Sequence, residues 1–583
     1  MNKRYLVVCS RDAGSVDVWR ERIASGRAIY DQRLRSAVNC KLWLIYFTDV
    51  TQVSIIKPDD DGTVIILGEV YRNDGNMPKL DHSEICAHFA QSASTPEDVW
   101  GNYVTIEKDH DVTVISRSPF SNLPCYLTFI NDSLVITSDI AIIKEYTALK
   151  ARVSVDQIVD QLLHEGLRSE KTCLTGVIEV LGGMRATVRN RDIRVEYTWL
   201  PRRYAPNRQP SDNYATSAQT VRRRVVAAAR TLAAGHKALV LGVSGGLDSS
   251  IVAAALAPDT NLHCYTSYGS TPVRDERVHA RLLTTALNLP LFEWREDPSQ
   301  VDIYQSAAAH LPRPTARAFT QASDAAAREL QVRSGATGFL SGGGGDNVFC
   351  YLQSAAPLID HYQADGVGLP LAQTLFDIRR VTGSGILDIV RALRKKSKRR
   401  TRIEWATNAL FLSPDAKSDL RPPAHPWLPA DDLSLPQGHL EHVRLIMAVL
   451  NHLEGYSREL THPIIYPLLS QPVVEACLKI PSWYWIAEGR NRAVARSAFK
   501  EMLPEKIISR STKGTPSSFL YEILDGNRPA ISEMVLGGWL RQNNVIDLTP
   551  VETSLRRFPA VTMAECARLM RLADIEAWIT SLS

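Results

Sequence analysis

Alternating hydrophobic and polar positions dominate the first third of the chain. Short runs in which every second residue is apolar recur up to about residue 137, and such runs predict β-strands that bury one face. The predicted strands are Arg4–Cys9, Leu42–Phe47, Thr63–Leu67, Tyr103–Glu107, Val112–Ser116, Cys125–Ile130 and Leu134–Thr137. A helix is predicted over Val155–Leu167, so we expect a layered, β-rich α+β domain.

Beyond about residue 211 the pattern changes, because strand-like apolar runs alternate with longer helical stretches. That alternation predicts an α/β fold built on a mostly parallel sheet. The predicted strands are 237–243, 262–267, 291–295 and 338–341, and the predicted helices are 248–256, 275–287 and 318–333. A stretch rich in proline, arginine and asparagine, 201–210, separates the two patterns. It predicts domains over 1–205 and 211–583.

Composition narrows the function classes. Of the 583 residues, 45% are apolar and 22% are charged, with a formal net charge of +4, which does not by itself predict a nucleic-acid partner. No run of eighteen apolar residues occurs, so no membrane span is predicted. The nine cysteines include no Cys-x-x-Cys pair, which favours reduced thiols. Because the N-terminal stretch is also unlike a signal peptide, a cytoplasmic enzyme is the prediction.

The turn after the first strand of the second part carries the most specific chemistry. A strand-like run ends at Ser-Gly-Gly, and a helical pattern begins at Asp248. Unpaired backbone N–H groups and the helix dipole form an anion site there, and glycines let a ligand approach closely. A carboxylate beside a phosphate needs a cation between them, so Asp248 predicts Mg²⁺. The predicted nucleotide-binding residues are Ser244, Gly245, Gly246, Asp248, Ser249 and Ser250.

A second glycine-rich loop, residues 341–349, follows the last predicted strand of the parallel sheet. Ligands of open α/β sheets bind outside the carboxyl ends of the strands, so both loops are expected to face one crevice. Ser341 and Gly342 are predicted to contact the nucleotide. Asp248 and Asp346 are predicted to be two oxygen ligands for magnesium held on the triphosphate.

These motifs resemble those of the asparagine synthetase-like family. Ser-Gly-Gly-Leu-Asp-Ser-Ser resembles the pyrophosphate-binding loop of ATP pyrophosphatases, and the second loop is similar to the family's Ser-Gly-Glu-Gly-Ser-Asp-Glu motif. Segments 67–73, 116–120, 137–140 and 181–184 resemble the family's class II glutaminase domain. The resemblance covers nearly the whole chain. It implies an Ntn-type, glutaminase-like domain followed by an ATP-pyrophosphatase synthetase domain, with ATP and Mg²⁺ as cofactors.

A C-terminal segment extends the resemblance and adds candidate charges. Residues 466–506, which include Arg490, Arg492 and Arg496, are similar to a helical segment of the family. At 510–514 the family carries its catalytic lysine, so the resemblance implies that role for Lys513. A lysine can neutralise the negative charge that accumulates when an acyl-adenylate forms and then loses its leaving group. Arg510 is a second candidate, facing pyrophosphate.

Three departures from the family's motifs change the predicted reaction. A class II glutaminase needs a cysteine directly after the initiator Met, because the freed α-amine acts as base for the thiol; here the residue is Asn2, and Cys9 is expected in a buried strand. Gly343 stands where the second loop of asparagine synthetases has Glu and that of β-lactam synthetases a catalytic Tyr. Asn347 replaces the motif's last Glu. Glutamine-derived ammonia is therefore not the expected nucleophile.

The Gly-Gly-Gly-Gly-Asp-Asn form of the second loop most resembles lasso-peptide cyclases. The resemblance implies that an Asp or Glu side chain of a ribosomal precursor peptide is adenylated. The peptide's N-terminal amine then attacks, releasing AMP and closing a macrolactam, with a maturation protease as partner. A prefolded peptide requires a broad groove, for which the N-terminal domain could supply one wall. A β-lactam synthetase-like or ammonia-dependent asparagine synthetase-like ligase stays open, as does a non-catalytic scaffold.

The segment 391–402 contains eight cations in twelve residues. The plain interpretation is a solvated loop. The alternative interpretation is a landing site for an acidic peptide or a partner protein. Nucleic acid is disfavoured because no aromatic platform accompanies the charge.

Overall fold

A computed structural model describes most of the chain. The described residues are 4–10, 17–19, 21, 35–40, 43–47, 53–59, 62–90, 97–146, 152–207, 212–269, 275–398, 405–417, 425–429, 434–511 and 517–582. Three positions singled out from the sequence lie outside them, namely Asn2, Lys513 and the end of the basic run, 399–402.

Two antiparallel sheets make up the N-terminal part. The strands are β1 (Tyr5–Cys9), β2 (Arg35–Cys40), β3 (Trp43–Phe47), β4 (Val53–Asp59), β5 (Gly62–Arg72), β6 (Val99–Asp109), β7 (Val112–Arg117), β8 (Tyr126–Ile130), β9 (Ser133–Thr137), β10 (Ile178–Glu179), β11 (Met184–Arg189) and β12 (Asp192–Tyr197). One six-stranded sheet has the order β10-β8-β9-β1-β3-β2 and the other β12-β11-β7-β6-β5-β4.

The facing sides of the two sheets share one hydrophobic core, to which Val7 and Ile136 contribute from one sheet and Ile106 and Ile115 from the other. Helices α1 (His82–Ala90) and α2 (Ile140–Tyr146) contribute residues to the clusters on the outer faces of the two sheets. The part is thus layered helix–sheet–sheet–helix, because alternating strand residues supply both an inner and an outer apolar face.

The second part is built on a parallel sheet, as the alternation of strands and helices predicts. Its strands are β13 (Leu239–Gly242), β14 (Leu262–Tyr268), β15 (Leu291–Arg295), β16 (Phe339–Leu340) and β17 (Ile464–Ile465), in the order β15-β14-β13-β16-β17. Helix α3 (Val155–Leu163) precedes β10 in the N-terminal part, and the helices of the second part up to β16 are α4 (Tyr214–Ala233), α5 (Leu247–Leu256), α6 (Arg277–Ala286) and α7 (Gln321–Ser334). The fold class predicted from the sequence is confirmed.

The remainder of the described chain is helical. These helices are α8 (Gly345–Val348), α9 (Ala356–Asp365), α10 (Leu369–Thr382), α11 (Ile386–Lys398), α12 (Gln437–Val449), α13 (Gln471–Leu478), α14 (Ala493–Phe499), α15 (Glu505–Ile508), α16 (Ser517–Gly537), α17 (Trp539–Gln542), α18 (Leu548–Arg557) and α19 (Met563–Ser581). Among the helices that the structure describes, none combines the length and apolar character needed to cross a membrane.

The two parts are joined by a buried charge cluster and by direct hydrogen bonds. Glu179, which is 1% exposed, accepts from Arg117, Arg168 and Arg313 at 3.2, 2.8 and 3.1 Å. Burial raises the pKa of Glu179, but the three guanidinium groups outweigh it, and the net pKa lies below the usual value. Because Arg313 belongs to the C-terminal part, this cluster ties that part to the N-terminal layers. The exact domain boundary near residue 205 stays a prediction.

Candidate functional site

The first glycine loop connects β13 to α5, where the sequence predicts a strand–turn–helix. Gly245 has φ +63°, and a Cβ there would lie 2.3 Å from Cβ of His279, so only glycine fits without displacing its neighbour. Gly246 is the N-cap of α5, and no side chain caps the first turn. The N–H groups of that turn therefore face the crevice with the positive end of the helix dipole.

The second loop packs directly on the first. A Cβ on Gly342 would lie 2.6 Å from the backbone nitrogen of Ser249, and one on Gly345 would lie 2.3 Å from Cγ of Asp248. Glycine at both positions lets the two loops touch, since any side chain would separate them. The expectation that the two loops share one crevice thus agrees with their observed contact, which parallel pairing of β13 with β16 makes possible.

An arginine bridges the two aspartates predicted to hold magnesium. Nη1 of Arg492 lies 2.9 and 3.1 Å from the carboxylate oxygens of Asp248 and 2.5 Å from Oδ1 of Asp346. The Arg492 side chain is only 12% exposed. Its backbone has φ +53°, an uncommon conformation for a residue with a side chain, of the kind that clusters at functional sites.

Arg510 contacts the first loop directly. Its Nη1 donates to the carbonyl oxygen of Ser244 at 2.8 Å, and its Nη2 donates to Oε1 of Glu276 at 2.6 Å. Arg496 donates to the carbonyl oxygens of Ile508 and Arg510. Burial first, and then the neighbouring arginines, lower the pKa of Arg496 to about 10. Arg496 and Arg510 therefore hold in place the part of the chain just before the segment that contains Lys513.

These groups surround a cavity of about 390 Å³ at the carboxyl edge of the sheet. Its lining includes most of the residues predicted to bind nucleotide or metal, namely Ser244, Gly246, Asp248, Ser249, Gly342, Asp346 and Arg510. The buried Ser249 Oγ has no hydrogen-bond partner among the described residues, so this hydroxyl is available to a ligand. Ser250 instead donates to the carbonyl oxygen of Gly246 at 2.7 Å, which gives it a structural bond within the turn.

The donor set suits magnesium that arrives with a nucleotide. Within the described ranges no group of three or more His, Cys, Asp or Glu side chains could hold a metal ion. Mg²⁺ is usually held by one or two carboxylates together with substrate phosphates. Asp248 and Asp346 supply two carboxylates that already contact one common cationic nitrogen, so their chemistry fits the ion.

Four residues at the site were not given a role, or were given a different one, by sequence reasoning. Arg492 and Arg496 belong to segment 466–506, which resembles a helical segment of the family. No sequence pattern pointed to Glu276. Asn347, a departure from the family motif, donates to the carbonyl oxygen of Leu445 at 2.7 Å and so anchors the second loop to α12. The role of Lys513 stays a prediction, because the described chain stops at Ser511 and resumes at Ser517.

A second, larger cavity of about 910 Å³ lies between the two parts. Phe120 and Asn122 line it from the N-terminal layers, and His462 and Tyr466 line it from the edge strand β17 and its flanks. A Cβ on Gly343 would lie 3.3 Å from Cε1 of Tyr466. The ring of Tyr466 thus lines the larger cavity and also lies beside Gly343, where the family motif carries a side chain.

Comparison with solved structures finds weak likenesses. The allosteric regulatory enzyme of purine biosynthesis matches at 10% identity and a TM-score of 0.22, over 45% of this chain and 64% of that enzyme's chain. Glutamine phosphoribosylpyrophosphate amidotransferase from B. subtilis, complexed with ADP and GMP, matches at 8% identity and a TM-score of 0.21, over 67% and 93% of the two chains. Likenesses this weak carry no argument about function. No curated protein matches the chain.

The family is shown by the sequence of the second part. Residues 220–580 match the asparagine synthase family, and this range covers both glycine loops, Arg492 and Arg510. The matched range is more than half of the chain and contains every residue lining the smaller cavity. The chain therefore belongs to the asparagine synthase family, whose members are ATP-dependent, amide-forming ligases.

Proposed function

We propose that the protein is an AMP-forming ligase that closes a macrolactam in a ribosomally made precursor peptide. A side-chain carboxylate oxygen of an Asp or Glu in the peptide attacks the α-phosphorus of ATP, and pyrophosphate leaves. The N-terminal amine of the same peptide then attacks the acyl carbon, loses a proton and expels AMP. The net change is one amide bond formed and one ATP cleaved to AMP and pyrophosphate.

The arrangement around the smaller cavity supports the first step. The uncapped first turn of α5 and the unpartnered Ser249 hydroxyl offer donors for phosphate oxygens. Asp248 and Asp346 would hold Mg²⁺, which on binding neutralises phosphate charge and polarises the phosphorus centre. Arg510, which is held by Glu276, would contact departing pyrophosphate. We assign Lys513, on the segment that follows Ser511, to neutralising the charge of the adenylate.

The lack of a side chain at Gly343 is the observation that favours a peptide amine as the nucleophile. With no side chain at 343, the second loop supplies neither a carboxylate nor a phenol to deprotonate an amine, and the hydroxyl of the neighbouring Tyr466 already donates to the carbonyl oxygen of Leu453 at 2.8 Å. A nucleophile held beside the adenylate has less need of such a base, because well-oriented intramolecular reactions reach effective molarities of about 10⁵ M or more. The larger cavity, about 910 Å³ and lined by both parts of the chain, supports a substrate of peptide size.

The test incubates the full chain with ATP, Mg²⁺, candidate precursor peptides from neighbouring reading frames and the associated protease. We expect a product that has lost one water, detected by intact mass and located to an isopeptide bond by fragmentation. Asp248→Ala should abolish both this product and ATP–pyrophosphate exchange. The exposed Asp259→Ala, which lies outside the cavity and pairs with Arg230 at 2.9 Å, is the matched control.

The outcomes separate the alternatives. Peptide-dependent exchange without ring formation would point to a different amine acceptor. Amidation by free ammonia would support an asparagine synthetase-like reaction, and closure of a four-membered ring a β-lactam synthetase-like reaction. Absence of exchange with every peptide would favour a scaffold without catalysis.

A further inference from the structure

Exposed apolar side chains are concentrated in one helical region outside both cavities. Twelve large apolar residues are exposed among those that the structure describes, and six of them lie within α9, α10, the start of α11 and the turns between these helices. These six are Tyr362, Val367, Leu369, Phe376, Ile386 and Leu387. None of them lines either cavity. A cluster of this kind marks an interaction surface more often than scattered exposed residues do.

Helix α10 organises this surface. Leu369, Phe376 and Arg380 lie seven and four positions apart and are all exposed, so they form one stripe along the helix. The exposed fractions of Leu369 and Phe376 are 88% and 49%. The opposite side of the helix is buried through Thr374 and Ile378. The exposed stripe is therefore not a part of the protein's own core.

The same region is strongly cationic. Arg379 and Arg380 end α10, and Arg391 and Arg394 lie on α11. Of the four acidic residues on α9, α10 and α11, Asp360 and Asp377 are buried. Asp365 and Asp388 are exposed and pair with His361 at 3.2 Å and with Arg391 at 3.0 Å. Lys395, Lys396 and Lys398 add further positive charge in the sequence of α11. The surface combines apolar side chains with an excess of guanidinium groups.

We infer that the α10 face, defined as Val367, Leu369, Phe376, Arg380, Leu387 and Arg391, binds an acidic amphipathic segment of a partner protein. Apolar side chains of that segment cover the leucines and the phenylalanine, and its carboxylates pair with the arginines. This interaction is separate from catalysis and does not rest on the peptide ligase reaction.

Three other occupants fit the surface less well. A bilayer would need the apolar side of α11, but Ile389 is 3% exposed and packs with Ile378 in the protein's own cluster. A second copy would set this cationic surface against itself. Nucleic acid would pair with the arginines but leave Leu369 and Val367, which are 88% and 86% exposed, without apolar partners.

The experiment measures binding of a fluorescent synthetic helix to the full chain by anisotropy. The probe carries Leu at three- and four-residue spacing with Glu on the flanking positions. A scrambled peptide of the same composition and a Lys-for-Glu peptide are the controls. We expect the probe to bind in a salt-sensitive manner and neither control peptide to bind. Phe376→Glu and Arg380→Glu should each weaken binding at least tenfold.

The matched protein control is Val332→Glu, which places the same charge at a site 74% exposed on α7. It should bind the probe as the unmodified chain does, and all variants should keep their thermal stability. Equal binding by Phe376→Glu and Val332→Glu, or equal binding of the charge-reversed probe, would overturn the inference. Binding to anionic vesicles in place of the probe, or a dimer that Phe376→Glu dissociates in sedimentation, would assign the surface to a membrane or to a second copy and would overturn it as well.

Discussion

Nη1 of Arg492 lies 2.9 Å from Oδ1 of Asp248, although 244 positions separate the two residues in the chain. The same nitrogen contacts Asp346 at 2.5 Å. A cation thus already occupies the position between the carboxylates that magnesium is predicted to take. Arg492 orients both aspartates, and a divalent ion that arrives with ATP would compete with it for them.

This competition predicts the behaviour of Arg492→Gln. Removing the guanidinium takes away a cation that contacts both carboxylates, so the nucleotide-free protein should bind Mn²⁺ at least tenfold more tightly, a gain of about 1.4 kcal/mol. Electron paramagnetic resonance of free Mn²⁺ measures the affinity. The exposed Arg490→Gln is the control and should bind Mn²⁺ as the unmodified chain does. Unchanged affinity in Arg492→Gln would contradict the competition.

Gly345→Ala tests the contact between the two loops. The added methyl group would lie 2.3 Å from Cγ of Asp248, so the carboxylate must move. We expect ATP–pyrophosphate exchange to fall about 100-fold or more, the effect of losing one well-placed charge-stabilising group. Destabilisation should be about 1–3 kcal/mol, typical of overpacking. Gly526→Ala, in open space within α16, should leave exchange unchanged and stabilise the helix by up to about 1 kcal/mol. Equal exchange in the two variants would show that the loops tolerate separation.

Glu179→Gln should destabilise the protein, because it leaves Arg117, Arg168 and Arg313 buried without their shared carboxylate. Breaking such a cluster costs about 3–5 kcal/mol, measured by urea unfolding at pH 7. Because the pKa of Glu179 is lowered in the folded state, its contribution is complete above the unfolded pKa, about 4.3. It is lost as the pH falls through the folded pKa. The difference between the variant and the unmodified chain should therefore narrow in acid.

The control for Glu179 is Glu196→Gln. The Glu196 side chain is 64% exposed and lies 3.6 Å from Arg185, so this change should alter the unfolding free energy by less than about 1 kcal/mol. A loss at Glu179 no larger than the loss at Glu196 would show that the buried cluster contributes little.

Glu276→Gln tests whether Arg510 must be held in place. The substitution removes the charge from the 2.6 Å contact that orients Nη2, while Nη1 keeps its bond to Ser244. We expect ATP–pyrophosphate exchange to fall about tenfold, through a higher KM for ATP, with little change in the melting temperature. Glu293→Gln removes a comparable carboxylate from the exposed Arg281 and should behave as the unmodified chain. If both variants lost activity alike, a general effect of charge would be responsible.

The features that could be predicted from the sequence are those whose signals lie close together along the chain. The two glycine loops, which contain Gly246 and Gly342, could be predicted because the strand, turn and helix signals lie next to one another in the sequence. Strand β11 alternates buried apolar with outward polar residues, so its pattern was available in the sequence. Strand β12 escaped prediction because it is an exposed edge strand with few apolar residues, and β17 escaped because it has only two residues. Helix α3 ends at Leu163 rather than Leu167, because the chain turns at His164–Gly166.

The contacts of Arg492 illustrate what sequence reasoning could not supply. The arginine-rich segment is visible, but which of its members reaches the aspartates depends on how α14 packs against the sheet. The left-handed backbone at Arg492, which sets the direction of the side chain, has no sequence signal in an arginine.

The bond from Nδ2 of Asn122 to the carbonyl oxygen of Ile464, at 3.1 Å, covers the outer edge of β17. An uncovered strand edge is a template for pairing with other chains. Tyr71 and Trp100 of the N-terminal layers also share a hydrophobic cluster with the parallel sheet. Loss of the first 205 residues would therefore expose both an open edge and apolar surface. Covering this edge and this apolar surface is a structural role that requires no catalytic chemistry in the layers.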